Sequence, residues 1–135
     1  MFTLTLVTPE KKLVAGQEIE ELFIPGFKGE LNIHPGHAPL MTTLETGVLR
    51  YRLKGDAKVY PVAISWGYAQ VNPNGVSVLA ETAERPDEID VERVKTTLKA
   101  AESRLAGQNE APEHIEKLQR KVHRARVRLE VAGRN

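Results

Sequence analysis

The sequence predicts an N-terminal antiparallel β-sandwich of about ten short strands, followed by a C-terminal antiparallel two-helix hairpin. Three observations carry this. As far as Ala80 the apolar residues alternate with polar ones, and Gly, Pro, Asn or Asp breaks the pattern every few residues. From Ile89 the apolar period lengthens to that of a helix. Between the two regimes stands Glu81-Thr82-Ala83-Glu84-Arg85-Pro86, polar and closed by proline. Residues 1–84 are therefore read as the sandwich, and residues 85–135 as a linker and the helical hairpin.

The strands follow in order. Phe2, Leu4 and Leu6 alternate with Thr3 and Thr5, and Pro9 ends that half-buried strand. Lys12–Val14 is a short strand before Ala15-Gly16, and Glu18–Ile24 is an edge or surface strand that closes at Pro25-Gly26. Gly29–Ile33 and Met41–Leu44 flank a corner rich in Pro, Gly and His. Gly47–Leu53 sets Leu49, Tyr51 and Leu53 against Val48, Arg50 and Arg52, then turns through Lys54-Gly55-Asp56 into Val59–Ser65. Tyr68–Val71 meets Val76–Leu79 across Asn72-Pro73-Asn74-Gly75, a strong turn signal. Closely spaced strands without intervening helices argue for an antiparallel sandwich or barrel.

The helices are marked by spacing. Val91, Val94, Leu98, Ala101 and Leu105 stand 3, 4, 3 and 4 apart, and Ile115, Leu118, Val122, Ala125 and Leu129 repeat that spacing. Asp87 or Asp90 can cap the first helix, and Ala106-Gly107 ends it. Gln108–Ala111 is a short loop, and Pro112 suits the first turn of the second helix. Two stripes of equal length across a short loop should zip into an antiparallel hairpin. Helices this short are marginal alone and need each other, the sandwich or a partner, which makes the hairpin a candidate moving part.

Composition narrows the function. The chain has 135 residues, 41% of them hydrophobic and 27% charged, and a net charge of +1 names no partner. The charge is uneven: residues 1–111 carry 12 basic and 15 acidic side chains, residues 112–135 carry 7 and 3. The absence of cysteine excludes a disulfide framework and thiolate chemistry, and fits a reducing compartment. No apolar run reaches the ~18 residues that span a bilayer. The N-terminus reads as neither a signal nor a transit peptide, so a bacterial cytoplasmic protein is expected.

No catalytic constellation is legible. The chain has no phosphate-binding loop, no dinucleotide fingerprint and no nucleophile elbow, and Ser65 and Ser77 lie in strands without an evident histidine partner. His34 and His37 stand three apart, but zinc takes three or four ligands, and no cysteine or third histidine is nearby. They are read as part of a strand followed by a rigid corner, with Pro35-Gly36 setting the turn, and no metal is expected. Trp66 is read as an exposed or interface aromatic rather than a ligand platform. The expectation is a binding or coupling protein, not an enzyme.

The corner also carries a resemblance. Gly29-Glu30-Leu31, then Ile33, then Pro35-Gly36-His37-Ala38-Pro39-Leu40, resembles G-E-(L/M)-G-(I/V)-x-P-G-H-A-P-L of the epsilon subunits of F-type ATP synthases. Asn32 stands where that family usually has glycine, and Trp66 where it has a small residue, often glycine. The resemblance implies a non-catalytic rotor subunit of the central stalk, turning with the gamma subunit and the ring of c subunits. It implies that the sandwich edge faces those partners through Glu30, His34, His37, Pro39 and Leu40. It also implies a hairpin that opens toward acidic segments of the catalytic alpha and beta subunits and blocks ATP hydrolysis, with Arg120, Lys121, Arg124, Arg126 and Arg128 in contact. The setting would be the cytoplasmic face of a bacterial plasma membrane, peripheral and held through the complex.

Ile89-Asp90-Val91-Glu92-Arg93 resembles the I/L-D-x-x-R-A motif by which some bacterial members bind ATP, and Arg124-Ala125-x-x-Arg128 resembles their paired arginines. Val94 replaces the alanine of that motif, and Ala100 replaces a further arginine. By this resemblance no cofactor is required and ATP is a regulatory ligand. Ile89 and Asp90 would meet the adenine, while Arg93, Arg124 and Arg128, with Glu84 contributing, would meet the phosphates. The residues alone also support a plainer reading, in which Asp90 caps the helix and the arginines form a solvated face. A different class stays open too: a stand-alone β-sandwich whose basic helical arm binds nucleic acid or an acidic protein. The second helix has no aromatic residue on which bases could stack, and that class has no role for the corner.

Overall fold

In the computed structural model, which describes residues 1–107 and 109–133, seven strands precede two α-helices among the described residues. The strands are β1 (Thr3–Val7), β2 (Lys12–Gly26), β3 (Gly29–Ile33), β4 (Leu40–Leu44), β5 (Gly47–Leu53), β6 (Val59–Asn72) and β7 (Gly75–Glu84). They form one hydrogen-bonded sheet in the order β1-β7-β6-β4-β2-β3, folded back so that β1 also pairs with β2, and β5 with both β2 and β6. This is the predicted β-sandwich, with strands that are fewer and longer than expected.

The difference lies in two places where a strand bends instead of stopping. Lys12–Val14 and Glu18–Ile24 are both parts of β2, which turns at Gly16 with φ 62°. Val59–Ser65 and Tyr68–Val71 are both parts of β6. At the bend of β6, Trp66 has φ 49° and Gly67 has φ 156°. There β6 exchanges one neighbour for another: Ile64 pairs with Gly47 of β5, and Gly67 with Leu44 of β4. Strand β7 stays antiparallel to β6 on both sides of this corner. One pairing is not antiparallel. Strand β1 runs parallel to β7, from Thr3 opposite Gly75 to Val7 opposite Leu79. Alternation marks a strand without giving its neighbour's direction, so this pairing was not legible in the sequence.

The inward residues of the strands make one apolar cluster. Leu4, Leu6, Ile19, Leu22, Ile24, Ile33, Leu49 and Ile64 are its largest fully buried side chains. Each contributes about 1.5–3 kcal/mol through burial. This cluster fixes the register of the strands that carry the corner, since a one-residue slip would turn every such side chain to water.

The second unit begins at Arg85. Pro86–Glu88 forms a 3₁₀ turn, and Glu88 reaches back to accept the Arg85 N–H at 2.8 Å. Helix α1 (Val91–Ala106) starts at Asp90, whose Oδ1 accepts from the Arg93 N–H at 3.2 Å. Helix α2 (Pro112–Val131) starts at the expected proline. Arg104 grips Glu110 with two bonds of 3.0 and 3.1 Å, and Arg126 reaches Glu102 at 2.8 Å. The apolar stripes hold only in part. Val94, Ala101, Leu118, Ala125 and Leu129 are buried, but Ile115 is 37% exposed and Val122 half-buried. Val127 and Val131 are buried instead. The first turn of α2 leaves its stripe uncovered, and the last two turns bury a band wider than a single stripe.

Candidate functional site

Two regions hold the residues singled out by the sequence, and each lies within one unit. The first is the corner between β3 and β4. Gly36 has φ 81°, and the His37 N–H donates to the His34 carbonyl at 3.2 Å, so His34–His37 is a turn with proline at its second position and glycine at its third. That is the geometry which Pro-Gly encodes: proline presets φ at the second position, and glycine accepts a positive φ at the third. The Gly36 N–H donates to the Pro73 carbonyl at 3.3 Å, tying the corner to the turn between β6 and β7. A second backbone tie of this kind makes the corner rigid rather than a loose loop.

The side chains of the corner divide into engaged and exposed. His37 is half-buried, and its Nδ1 lies 2.7 Å from the Ala38 carbonyl, so Nδ1 carries the donated proton. His34 is exposed, with Nε2 3.5 Å from a Glu21 carboxylate oxygen. Glu30 accepts from Arg50 Nη2 at 2.8 Å, and that guanidinium lies 4.8 Å from the centre of the Phe23 ring. Pro39 is exposed and Leu40 half-buried. Among the described residues no three His, Cys, Asp or Glu side chains converge as a metal site.

Sequence reading missed the partners of these residues. Glu21, Arg50 and Arg52 come from strands distant in the chain, and only register brings them beside the corner. Glu20 accepts from Arg52 at 2.7 Å. That bond, and then the Gly55 N–H, hold the Glu20 carboxyl below its ordinary value. Also missed was an outward apolar row on the sandwich. Thr43, Tyr68 and Leu79 stand opposite one another across β4, β6 and β7, with Met41 and Trp66 on the same face. Met41 is 67% exposed and Trp66 48%. A tryptophan at the surface is what the sequence led us to expect.

The second region is the hairpin. Ile89 is buried, Asp90 is exposed and caps α1, and Arg93 is exposed. Arg124 is exposed, whereas Arg128, four residues on, is half-buried with its Nε out of water. Arg120 is engaged by Glu116 at 2.8 Å, and Lys121 is exposed. An antiparallel hairpin puts the first turn of α1 and the last turns of α2 at one end. Asp90 and Arg93 therefore share an end with Arg124 and Arg128. Glu84 closes β7 in the other unit and is half-buried there.

Comparison with known proteins bears on both regions. Residues 1–86 match the family described as ATP synthase, Delta/Epsilon chain, beta-sandwich domain, and residues 87–133 the long alpha-helix domain of the same chain. The ATP synthase epsilon chain of Bdellovibrio bacteriovorus is 49% identical over 129 residues, covering 96% of this chain and 92% of its own length. That of Geobacter metallireducens is 41% identical over 130 residues, with the same coverage. Among solved structures, a chain of the Euglena gracilis mitochondrial ATP synthase superposes with a TM-score of 0.73 at 22% identity, over 98% of this chain and 77% of that one. A chain from the Tetrahymena thermophila mitochondrial ATP synthase central stalk and c-ring gives 0.60 at 15%. At such identities the likeness speaks for the fold. With both halves matched in tandem and relatives 41–49% identical along almost the whole length, the chain belongs to the ATP synthase delta/epsilon family, as an epsilon subunit of the F-type enzyme.

Proposed function

We propose that this chain is a non-catalytic rotor subunit of the central stalk, which couples proton flow through the ring of c subunits to ATP synthesis. The corner is the observation that carries this. A surface segment held by two backbone bonds, exposing His34 and Pro39, is built to present a fixed shape to a partner. Its partners are the gamma subunit and the c ring, met through Glu30, His34, His37, Pro39 and Leu40. The Glu30–Arg50 pair is exposed and contributes at most about 1 kcal/mol to folding, which leaves it free to exchange partners on docking. Shape holds such an interface while charge sets its register.

The hairpin is the regulatory half. Opened, it would lay Arg120, Lys121, Arg124, Arg126 and Arg128 along the acidic segments of the alpha and beta subunits and block hydrolysis. ATP held by Ile89, Asp90, Arg93, Arg124 and Arg128, with Glu84 contributing, would favour the folded hairpin, because a ligand shifts a population by its differential affinity for the two states. The setting is peripheral, on the cytoplasmic face of the bacterial plasma membrane.

The test is the assembled rotary complex, with the full chain or with a chain ending at Glu88. Hydrolysis that rises on truncation while proton pumping stays coupled supports a coupling sandwich and a braking hairpin. Unchanged hydrolysis removes the brake, and failure to assemble with gamma removes the coupling role. ATP sensing is tested by calorimetry on the full chain. Absence of heat at millimolar nucleotide removes it.

A further inference from the structure

The loop end of the hairpin, opposite the end assigned to ATP above, holds a cluster of which the proposed function uses only Lys121. His114, Lys117, Leu118 and Lys121 follow one face of α2 at helical spacing, and Arg104 joins them from α1. Together they line a cleft of about 240 Å³, with buried Leu118 among its lining residues. We propose that this cleft binds a small, multiply charged phosphate anion of the pyrophosphate class.

Four features point to that chemistry. First, the sign is one-sided: Arg104, Lys117 and Lys121 are cationic, and His114 adds a fourth nitrogen centre. The acid that approaches them, Glu110, is committed to Arg104 at 3.0 Å and lies 3.4 Å from His114. Those bonds keep the carboxylate and the guanidinium ionised, since Glu110 is held below and Arg104 above its ordinary value, each chiefly by its hydrogen bond to the other. Second, Lys117 and Lys121 repel each other at a four-residue spacing, and neither has an ion-pair partner among the described residues. Like charges so placed cost a few tenths of a kcal/mol. Glu116, beside Lys117 in sequence, pairs with Arg120. Third, His114 stands in the first turn of a 20-residue helix, the positive end of its dipole. Fourth, the cleft is small, about 240 Å³, which suits two linked phosphoryl groups. It falls below the ~300 Å³ at which drug-sized ligands are usually enclosed.

The shared chemistry is a run of phosphoryl oxygens, supplied by the free anion or by the tail of a nucleotide. The experiment titrates sodium pyrophosphate into the isotopically labelled full chain at constant ionic strength and follows its amide and side-chain resonances. Saturable shifts confined to Arg104, His114, Lys117 and Lys121 are expected. The variant K117Q/K121Q alters two exposed residues and should weaken binding at least tenfold, about 1.4 kcal/mol. The variant R93Q, at the other end of the hairpin, should leave it unchanged, so this proposal can fail while the ATP reading survives, and the reverse. ATP and adenosine are then added separately. If ATP moves the same resonances and adenosine does not, the nucleotide tail is a source. If pyrophosphate alone moves them, the site takes the free anion. Shifts that grow without saturation along all of α2, an unweakened K117Q/K121Q, equal shifts with adenosine, or binding of an acidic peptide in place of pyrophosphate would each overturn the proposal.

Discussion

Gly67→Ala should cost the sandwich about 3–5 kcal/mol of stability. Gly67 sits where β6 turns from β5 to β4, with φ 156°, a conformation that residues with a side chain rarely adopt. A Cβ built there would lie 2.0 Å from the Leu79 carbonyl oxygen and 2.9 Å from the Ala80 Cα. Both contacts are backbone, so no side chain can rotate away. Strands β6 and β7 would have to part by about 1.5 Å to reach ordinary contact distance, which is near 3.5 Å or more for non-bonded atoms. The backbone strain costs about 1–3 kcal/mol. Two weakened ladder bonds add about 1 kcal/mol each. The expected loss is thus about 3–5 kcal/mol, against a typical total of 5–15. At ~4–8 °C per kcal/mol the melting midpoint should fall by at least ~12 °C. Thermal unfolding of the full chain, followed by the fluorescence of the adjacent Trp66, measures it. Gly47→Ala is the control: its Cβ would meet only the Pro25 ring, at 2.6 Å, and its φ is not positive. That overpacking should cost less, about 1–3 kcal/mol. A Gly67→Ala midpoint within ~5 °C of the parent would refute the close approach as the reason for this glycine.

Other consequences follow from the same geometry. Asp90→Ala should cost the hairpin about 1 kcal/mol, seen as faster amide exchange at Arg93 and Val94, and unchanged exchange would refute the cap. Leu118→Ala should cost about 2–5 kcal/mol and lower helicity while Trp66 fluorescence still reports a folded sandwich. The acid limb of stability has a defined sign. Glu20 is held low chiefly by Arg52, and Asp56 chiefly by the Lys58 N–H and then by Tyr60, so the folded state binds fewer protons than the unfolded one. Their contribution is present above the unfolded carboxyl values near ~4 and is lost as pH falls through the lower folded values. An E20Q/D56N variant should show a flatter decline there, and an equally steep one would refute the assignment.

The corner shows how much a short stretch can specify. Pro35 and Gly36 dictate their own turn through intrinsic φ preferences, and those preferences act over four residues with no help from the fold. The same holds for the start of α2 at Pro112, for the Asp90 cap, and for the bend at Lys54-Gly55-Asp56, where Gly55 has φ 78°. The parallel pairing of β1 with β7 was hidden for the opposite reason. It joins segments about seventy residues apart in sequence, and no local preference records a neighbour's direction.

The candidate site was legible to the same degree. Gly29–Leu40 announced itself as a motif, and both helices announced their arginines. Their environments did not. Glu30 meets Arg50 because β3 and β5 both pair with β2, and Arg126 meets Glu102 because α2 returns along α1. The basic cleft at the loop end likewise needs Arg104 from one helix and two lysines from the other. The sequence by itself determined the two-part architecture, the strand and helix periods, the turn chemistry and the family, because each rests on local residue preferences or on a contiguous motif. Only the tertiary structure decided which strands bend rather than break, which charges are engaged, and where Gly67 tolerates no side chain, because those depend on groups that meet only after the chain has closed on its core.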